Sequence, residues 1–422
     1  MIPLAEAREY VLLSCGRLER TTRPLAQALG HVLADTVRAS GAVPPFANSA
    51  MDGYALRAAD TADAPARLRV VGALMAGAER SAEVGPGEAI RIMTGAPLPA
   101  GADAVCMVER TRLEADGTVV VIEDALAPGT NVRPAGEDIS PGDEVFSAGT
   151  LLGPAHLGVL ASLGVETVAT YRKPVVGVVS TGDELARDGG PLTPGKIYDS
   201  NRPSLLAQLR ADGFPTLDLG IAPDDETALA DLLTAGAARC DAIVASGGVS
   251  VGDRDVVRII LEKMSGGTMR WMQVAIRPAK PLAFGKIADG TPVFGLPGNP
   301  VSALVSYELF ARPALRLMAG FEVLDRPRIT VRAETDLPRR PDGKLHLVRV
   351  QLTVGSDGEL GARSSGGQES HMLVPMARAN ALALLPDGDG VRAGARVEVM
   401  LVDAERLVDA NRGAEGRGPA PW

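Results

Sequence analysis

Apolar positions recur at helical spacing at Ala5, Val11, Leu12 and Leu18, then at Leu25, Leu29 and Leu33, which predicts helix from residue 1 to about 40. From Pro44 to about Pro134 the period changes to short alternating runs broken by Gly and Pro, among them 68–71, 104–108 and 119–122, and this reads as a small β-rich module. Helix-and-turn character returns over 135–170. The pattern therefore predicts a helical or linker domain made of 1–43 and 135–170, interrupted by an inserted β-rich domain at 44–134. Beyond it, strand-like runs at 175–180, 217–221, 242–246 and 293–296 alternate with helical runs at 204–212, 226–240, 256–264 and 301–317. Such alternation predicts a parallel sheet with helices on both faces, a three-layer α/β domain over 171–322. Pro327 marks a linker, and the runs 345–354, 382–385 and 397–402 predict a closing antiparallel barrel or sandwich within 323–407. Residues 408–422 have little to bury and are expected to be a disordered tail. The fold class expected is thus multidomain α/β, with an N-terminal helical/linker region, an inserted β-rich module and a C-terminal β-barrel domain.

Composition narrows the function classes. A chain of 422 residues exceeds what one core supports, and 46% hydrophobic residues without a bilayer-length apolar run predict a soluble globular protein. The start, Met-Ile-Pro-Leu-Ala-Glu-Ala, has neither the basic nor the apolar region of a secretory leader, so a cytoplasmic location is expected. Cys15, Cys106 and Cys240 are far apart and in no metal-type pair, and read as reduced, buried thiols. Formal charge of -9 and only 3% aromatic residues argue against nucleic acid as a partner. The four histidines have no ligand spacing, so any metal is expected to be a hard cation on carboxylates.

Polar loops follow the apolar strands of the α/β region, where a ligand crevice at the carboxyl edge of a parallel sheet would lie. Gly-Leu-Pro-Gly-Asn-Pro-Val-Ser at 295–302 closes one strand and opens an apolar-periodic helix, so its backbone N–H groups suit an anion. Ser246-Gly247-Gly248-Val249-Ser250 closes another, and Thr181-Gly182-Asp183-Glu184 a third. Between them Tyr198-Asp199-Ser200-Asn201 leads into a helix, with Asn201 or Ser200 expected as its cap. Carboxylates sit at glycine-rich turns: Asp52, Asp138, Glu184, the pair Asp224-Asp225, and Asp255. Brought together they would hold Mg²⁺ and orient an oxyanion, whereas an Asp beside Gly taken singly is better read as a turn residue. Arg277 and Lys280, on a proline-stiffened segment, suit a phosphate or oxyanion, with a solvated basic loop as the plainer reading. Arg349 and Ser370 are further anion-contact candidates.

Taken in order, Asn48-Ser-Ala-Met-Asp-Gly-Tyr-Ala55, Arg91-Ile-Met-Thr-Gly-Ala-Pro97, Gly136-Glu-Asp-Ile139, Ser180-Thr-Gly-Asp-Glu184, Tyr198-Asp-Ser-Asn201, Ser246-Gly-Gly-Val-Ser-Val-Gly252 and Leu296-Pro-Gly-Asn-Pro300 resemble the MoeA-type molybdopterin molybdenumtransferases, the family that includes the gephyrin E domain. The resemblance runs from about residue 3 to 405. It implies four domains, an elongated homodimer, and a site between the α/β domain of one subunit and the β module of the other. It also implies Mg²⁺-dependent insertion of molybdate into adenylylated molybdopterin, with release of AMP. Carried over by position, Asp52, Thr94, Asp138, Glu184, Asp224 and Asp255 would be catalytic, with Glu184, Asp224 and Asp255 holding the metal. Ser246, Gly247, Gly248, Ser250, Arg277, Lys280, Pro297, Gly298, Asn299, Pro300, Ser302, Arg349 and Ser370 would bind substrate. The molybdopterin adenylyltransferase and cofactor-accepting enzymes are implied as partners.

The chain departs from the family pattern at Ala47, where Asp is common, at Gln273 and Arg277, where Lys is, and at Glu369, where Gly is frequent. An adenylyltransferase, whose whole fold resembles 171–320, would need neither the β module nor the Asp52 and Asp138 turns. A non-catalytic, gephyrin-like scaffold would use a long linker and fused domain that are absent between the motifs.

Overall fold

The computed structural model describes all residues except 78–82, 187–188, 224, 249–255, 289, 356–357, 404–405 and 407–422, so the expected tail at 408–422 lies outside the described residues. The chain separates into two compact units, one of residues 22–29 and 33–170, the other of 1–21, 30–32 and 171 onward. Among the described residues no helix is long and apolar enough to cross a membrane.

The first unit is built on a mixed six-stranded sheet in the order Ala104–Met107, Gly53–Leu56, Glu88–Ile92, Ala66–Leu74, Val119–Ile122, Thr111–Glu114. Strand Gly53–Leu56 is paired on both edges and buried throughout, so its alternating side chains feed two cores. Tyr54 and Leu56 pack with Leu68, Cys106, Val120 and Ile122, and Ala55 with Leu74, Ile90, Ile92 and Val105. Gly53 has no freedom to be anything larger, because a Cβ there would collide with the carbonyl of Cys106 across the ladder. Outside the sheet, helix Pro154–Ser162 buries Leu160 against Ala28, Leu33, Leu152 and Val168.

The helix expected over residues 1 to about 40 ends at Leu13. Arg20–Pro24 is a strand instead, because Thr21 and Thr22 are β-branched and Pro24 cannot continue a helix. A single 3₁₀ turn, Leu25–Gln27, follows it. The helical spacing of Leu25 and Leu33 reflects one residue of this turn and one beyond it reaching the same apolar cluster.

The second unit contains a six-stranded sheet in the order Thr216–Ala222, Val176–Thr181, Ala242–Ser246, Thr291–Leu296, Pro281–Ile287, Arg270–Gln273. The first four strands are parallel, as their apolar runs predict, and the last two are antiparallel additions. The expected all-parallel sheet is therefore mixed. Only 288–290 join Pro281–Ile287 to Thr291–Leu296, with Ala288 and Gly290 both at positive φ, and so short a connection can make a hairpin but not a crossover. Leu229 and Leu233 of helix Glu226–Ala237 and Val257, Ile260 and Leu261 of helix Val256–Met264 pack on Val179, Ile243, Ala245 and Val293. Val178, Val244 and Phe294, which alternate with these, are equally buried, and helices Asn201–Ala211 and Pro300–Ser306 also contact the sheet. The latter continues through a π turn, Tyr307–Ala311, into helix Arg312–Met318.

Helix Leu4–Leu13 belongs to this unit. Ala7 and Val11 are buried, Tyr10 meets Phe284 edge to face at 5.9 Å, and Arg8 Nη1 donates to the carbonyl of Leu309 at 2.7 Å. In the same unit, strands Leu345–Val354, Leu360–Ser364, Arg328–Ala333, Arg396–Leu401 and Ala381–Leu385 pair in that order, and the last pairs back with the first. The result is a closed five-stranded barrel. Its interior mixes small and branched residues, Ala333, Ala362, Ala381 and Ala383 with Val331, Val350, Leu352 and Val397, as the narrow bore of five strands requires. A short strand, Ile276–Arg277, joins the barrel by pairing in parallel with Leu345 and His346.

Candidate functional site

Strand order fixes where a ligand can enter the α/β sheet. Strand Val176–Thr181 is followed in sequence by its neighbour on one side, Thr216–Ala222, and then by its neighbour on the other, Ala242–Ser246. The crevice beyond the carboxyl ends of Val176–Thr181 and Ala242–Ser246 is a topological switch point, where the paired strands leave a gap between departing loops. Two of the loops singled out by sequence leave here, and the loop at 295–302 leaves the neighbouring strand Thr291–Leu296 beside them. Gly247, at φ 97°, donates its N–H to the carbonyl of Leu296 at 3.1 Å, and a Cβ on it would lie 2.5 Å from the carbonyl oxygen of Thr181. Ser246 is buried, and its Oγ lies 3.5 Å from the carbonyl of Pro297. The Gly247-Gly248 and Pro297-Gly298 turns are thus packed together.

Asn201 joins them. Its Nδ2 donates to Ser246 Oγ at 2.7 Å and to the carbonyl of Gly298 at 2.6 Å. The expected cap role of Asn201 or Ser200 is therefore not what either side chain does. Asp199 takes it: Oδ1 accepts from the N–H groups of Asn201 and Arg202, each at 3.1 Å, and from Ser180 Oγ at 3.1 Å, while Oδ2 accepts from Arg202 Nε at 3.0 Å. Three successive residues, Asp199, Ser200 and Asn201, all have capping side chains, so sequence could not choose among them. The carboxylate wins because it sits one residue farther back and is held by Arg202 as well.

The loop from the barrel reaches the same place through its backbone. Val301 N–H, one of the helix-opening donors, gives its hydrogen bond to the carbonyl of Ser370 at 3.1 Å. Pro297, Gly298, Asn299, Pro300 and Ser302 therefore lie together with Ser370. Arg349 stands behind this loop, fully buried, with Nη2 donating to the carbonyls of Gly367 at 2.8 Å and Glu369 at 3.2 Å. Its Nε and Nη1 are buried without a partner among the described residues, and burial pulls its pKa below the ordinary arginine value, partly offset by Glu369. A buried guanidinium with two idle donors fits an anion. Arg277 is exposed, and its Nη2 faces Glu369 Oε2 at 3.8 Å. Lys280 is exposed, with its carbonyl accepting from Val274 N–H.

Glu184 is an exposed carboxylate on the turn after strand Val176–Thr181, folded back over Gly182. Asp224, Ser250 and Asp255 lie outside the described residues. The neighbour of Asp224, Asp225, caps helix Glu226–Ala237 through Ala228 N–H at 2.8 Å, the structural reading of an Asp at a turn.

In the other unit the structure pairs two residues 42 positions apart. Asp52 Oδ1 accepts from both the N–H and the Oγ1 of Thr94, each at 2.7 Å, and these bonds hold the Asp52 carboxyl below its ordinary pKa, with a lesser contribution from Arg91. Arg91 lies over the ring of Tyr54, 5.1 Å from its centroid, with Nη1 buried and without a hydrogen-bond partner among the described residues. Neither Arg91 nor Asp199 was among the expected site residues. Arg91 carried a signal, the only cation in the Arg-Ile-Met-Thr-Gly stretch. Asp138 lies on the turn before the Val43–Ile139 bridge, its N–H donating to the carbonyl of Val43 at 3.0 Å.

Known proteins match the chain over most of its length. Residues 2–164 match the model of the MoeA N-terminal region (domain I and II), 177–317 that of the probable molybdopterin binding domain, and 330–402 that of the MoeA C-terminal region (domain IV). The chain belongs to the MoeA family. Relatives include molybdopterin molybdenumtransferase of Haemophilus influenzae, 38% identical over 89% of this chain and 92% of that one. Molybdopterin molybdenumtransferase 2 of Mycobacterium tuberculosis is 40% identical over 90% and 94%. The crystal structure of the MoeA protein from Pyrococcus horikoshii superposes with a TM-score of 0.79 at 29% identity, covering 95% of this chain and all of that one. Like its MoeA relatives, the chain is a transferase.

Proposed function

We propose that this MoeA-family transferase inserts molybdate into adenylylated molybdopterin in a Mg²⁺-dependent reaction that cleaves the phosphoanhydride and releases AMP. The observation that carries the proposal is the convergence on one switch point of two glycine turns, tied by Asn201, with the Ser370 loop and the buried Arg349 behind it. Cleaving an anhydride that bears several negative charges asks the protein for positioning and charge neutralisation more than covalent chemistry. The glycine turns position the pterin phosphates, and Arg349, Arg277 and Lys280 supply the positive side for the oxyanion.

Carboxylate donors suit a hard cation, and Glu184, Asp224 and Asp255 would hold Mg²⁺, which would neutralise phosphate charge. Asp52 stays ionised because Thr94 donates to it twice, so it can orient a cationic or hydroxylic group but cannot act as an acid near neutral pH. The proposal includes a cytoplasmic homodimer in which Asp52 and Thr94 of one subunit serve the crevice of the other, with the adenylyltransferase and cofactor-accepting enzymes as transient partners. Both are tested by AMP release from adenylylated molybdopterin with and without molybdate and Mg²⁺. Release that ignores molybdate would overturn the reaction. Mixed Asp52→Ala and Asp255→Ala subunits should regain part of the activity, and none after confirmed exchange would overturn the shared site.

A further inference from the structure

We propose that Asn201 is a positioning residue, a clamp that keeps the two glycine turns at the spacing the pterin substrate needs; the substrate's identity rests on the function proposed above. The loops at 246–248 and 296–299 leave neighbouring strands whose register ends at Ser246 and Leu296, and beyond that point the sheet no longer holds their separation. Direct contacts between them are few: Gly247 N–H to Leu296 O at 3.1 Å, and Ser246 Oγ at 3.5 Å from Pro297 O, the limit of a hydrogen bond. Asn201 adds the two short contacts, and it makes both with one nitrogen, to Ser246 Oγ at 2.7 Å and to Gly298 O at 2.6 Å. A carbonyl can only accept, so the Gly298 contact requires the amide nitrogen there and fixes the orientation of the side chain.

The clamp is itself braced. Asp199 accepts from Asn201 N–H and Arg202 N–H, its second oxygen accepts from Arg202 Nε, and Arg202 reaches on to Asp218. The first residue of helix Asn201–Ala211 is thereby anchored on its backbone side while its side chain spans the turns. The remaining amide atom, Oδ1, is buried with no hydrogen-bond partner among the described residues. None of the three capping-type residues at 199–201 announces this in sequence, and the span from Asn201 to Gly298 is 97 positions.

The test uses the full-length chain and two variants, Asn201→Ala and the near-isosteric Asn201→Asp, which replaces the donor by an acceptor. Hydrogen–deuterium exchange of the free protein should be faster in both turns, 246–248 and 296–299, in either variant. Fluorescence titration with molybdopterin should show roughly a tenfold weaker Kd, the loss expected when the hydrogen bonds to Ser246 Oγ and to the Gly298 carbonyl are removed together. Turnover at saturating substrate should fall less than affinity. Asn201→Asp is titrated at raised salt to screen its new charge, and it carries the test if Asn201→Ala does not fold. Unchanged exchange in the two turns, or wild-type affinity in the folded variants, would overturn the clamp. A wild-type protein that binds no molybdopterin would instead overturn the proposed function, while the exchange measurement on the free protein would still decide the clamp.

Discussion

Thr94 donates two hydrogen bonds to a single oxygen of Asp52, one from its backbone N–H and one from its hydroxyl, both 2.7 Å long. The two bonds differ in how they can be removed. Thr94→Val deletes the hydroxyl and keeps the N–H, so the Asp52 carboxyl should titrate closer to its ordinary value, a change readable by carbon NMR of the carboxyl. Because the folded-state pKa is depressed, the stability this pair contributes is present above the ordinary carboxylate range and is lost as pH falls through the depressed value. Loss of stability on raising pH through that range would contradict the pairing.

Arg277 and Glu369 face each other at 3.8 Å, both exposed, so their attraction contributes little to stability, within about 0.5 kcal/mol. Their effect on an incoming anion is larger. Glu369→Gln should lower the molybdate concentration for half-maximal insertion, and Arg277→Ala should raise it by about tenfold, with molybdopterin affinity nearly unchanged. Equal losses for both ligands would place Arg277 on the pterin phosphate instead.

Gly247→Ala is expected to damage the crevice directly. The new methyl group would have to occupy space 2.5 Å from Thr181 O, on a backbone at φ 97° that L-residues avoid. A cost of roughly 1–3 kcal/mol and loss of molybdopterin binding should follow, measured by urea denaturation and titration. A variant that binds normally would show that the turn tolerates displacement.

Asp212 anchors a buried charge cluster between helix Asn201–Ala211 and the link into the barrel. It accepts from Tyr307 Oη at 2.7 Å and Arg312 Nε at 3.2 Å and lies 2.8 Å from Arg326 Nη2, while Glu308 is bound by Arg326 at 2.9 and 3.0 Å. Asp212→Ala leaves two largely buried guanidinium groups with one carboxylate, and should cost about 3–5 kcal/mol in unfolding free energy. A loss below 1 kcal/mol in urea denaturation would mean that water replaces the carboxylate.

The parallel strands at Val176–Thr181, Ala242–Ser246 and Thr291–Leu296 were legible because a strand buried on both faces is a nearly continuous apolar run rather than an alternating one, here followed by a polar, glycine-containing loop. The hairpin that turns the last two strands antiparallel was not, since its signal is only the brevity of 288–290. Residues 20–40 misled because loops that converge on one cluster can imitate helical spacing. In the site, the glycine turns announced themselves by composition. The family resemblance singled out Asp52 and Thr94 separately but not their pairing, for nothing local links positions 42 residues apart. Asp199 and Asn201 were visible as polar residues before a helix, but which of them caps and which spans the crevice depends on loops far away in the chain.

Helix Leu4–Leu13 has its partners near residues 273, 284, 309 and 325, and one of its hydrogen bonds spans 301 positions. During translation at roughly 5–20 residues per second, those partners emerge on the order of 15 to 60 s after the helix. For that interval Ala7 and Val11 have nowhere native to bury, and ten residues are too few to hold a helix alone in water. The segment must leave the ribosome as an unsettled strand of chain and wait, and its docking reports that the α/β unit behind it is complete.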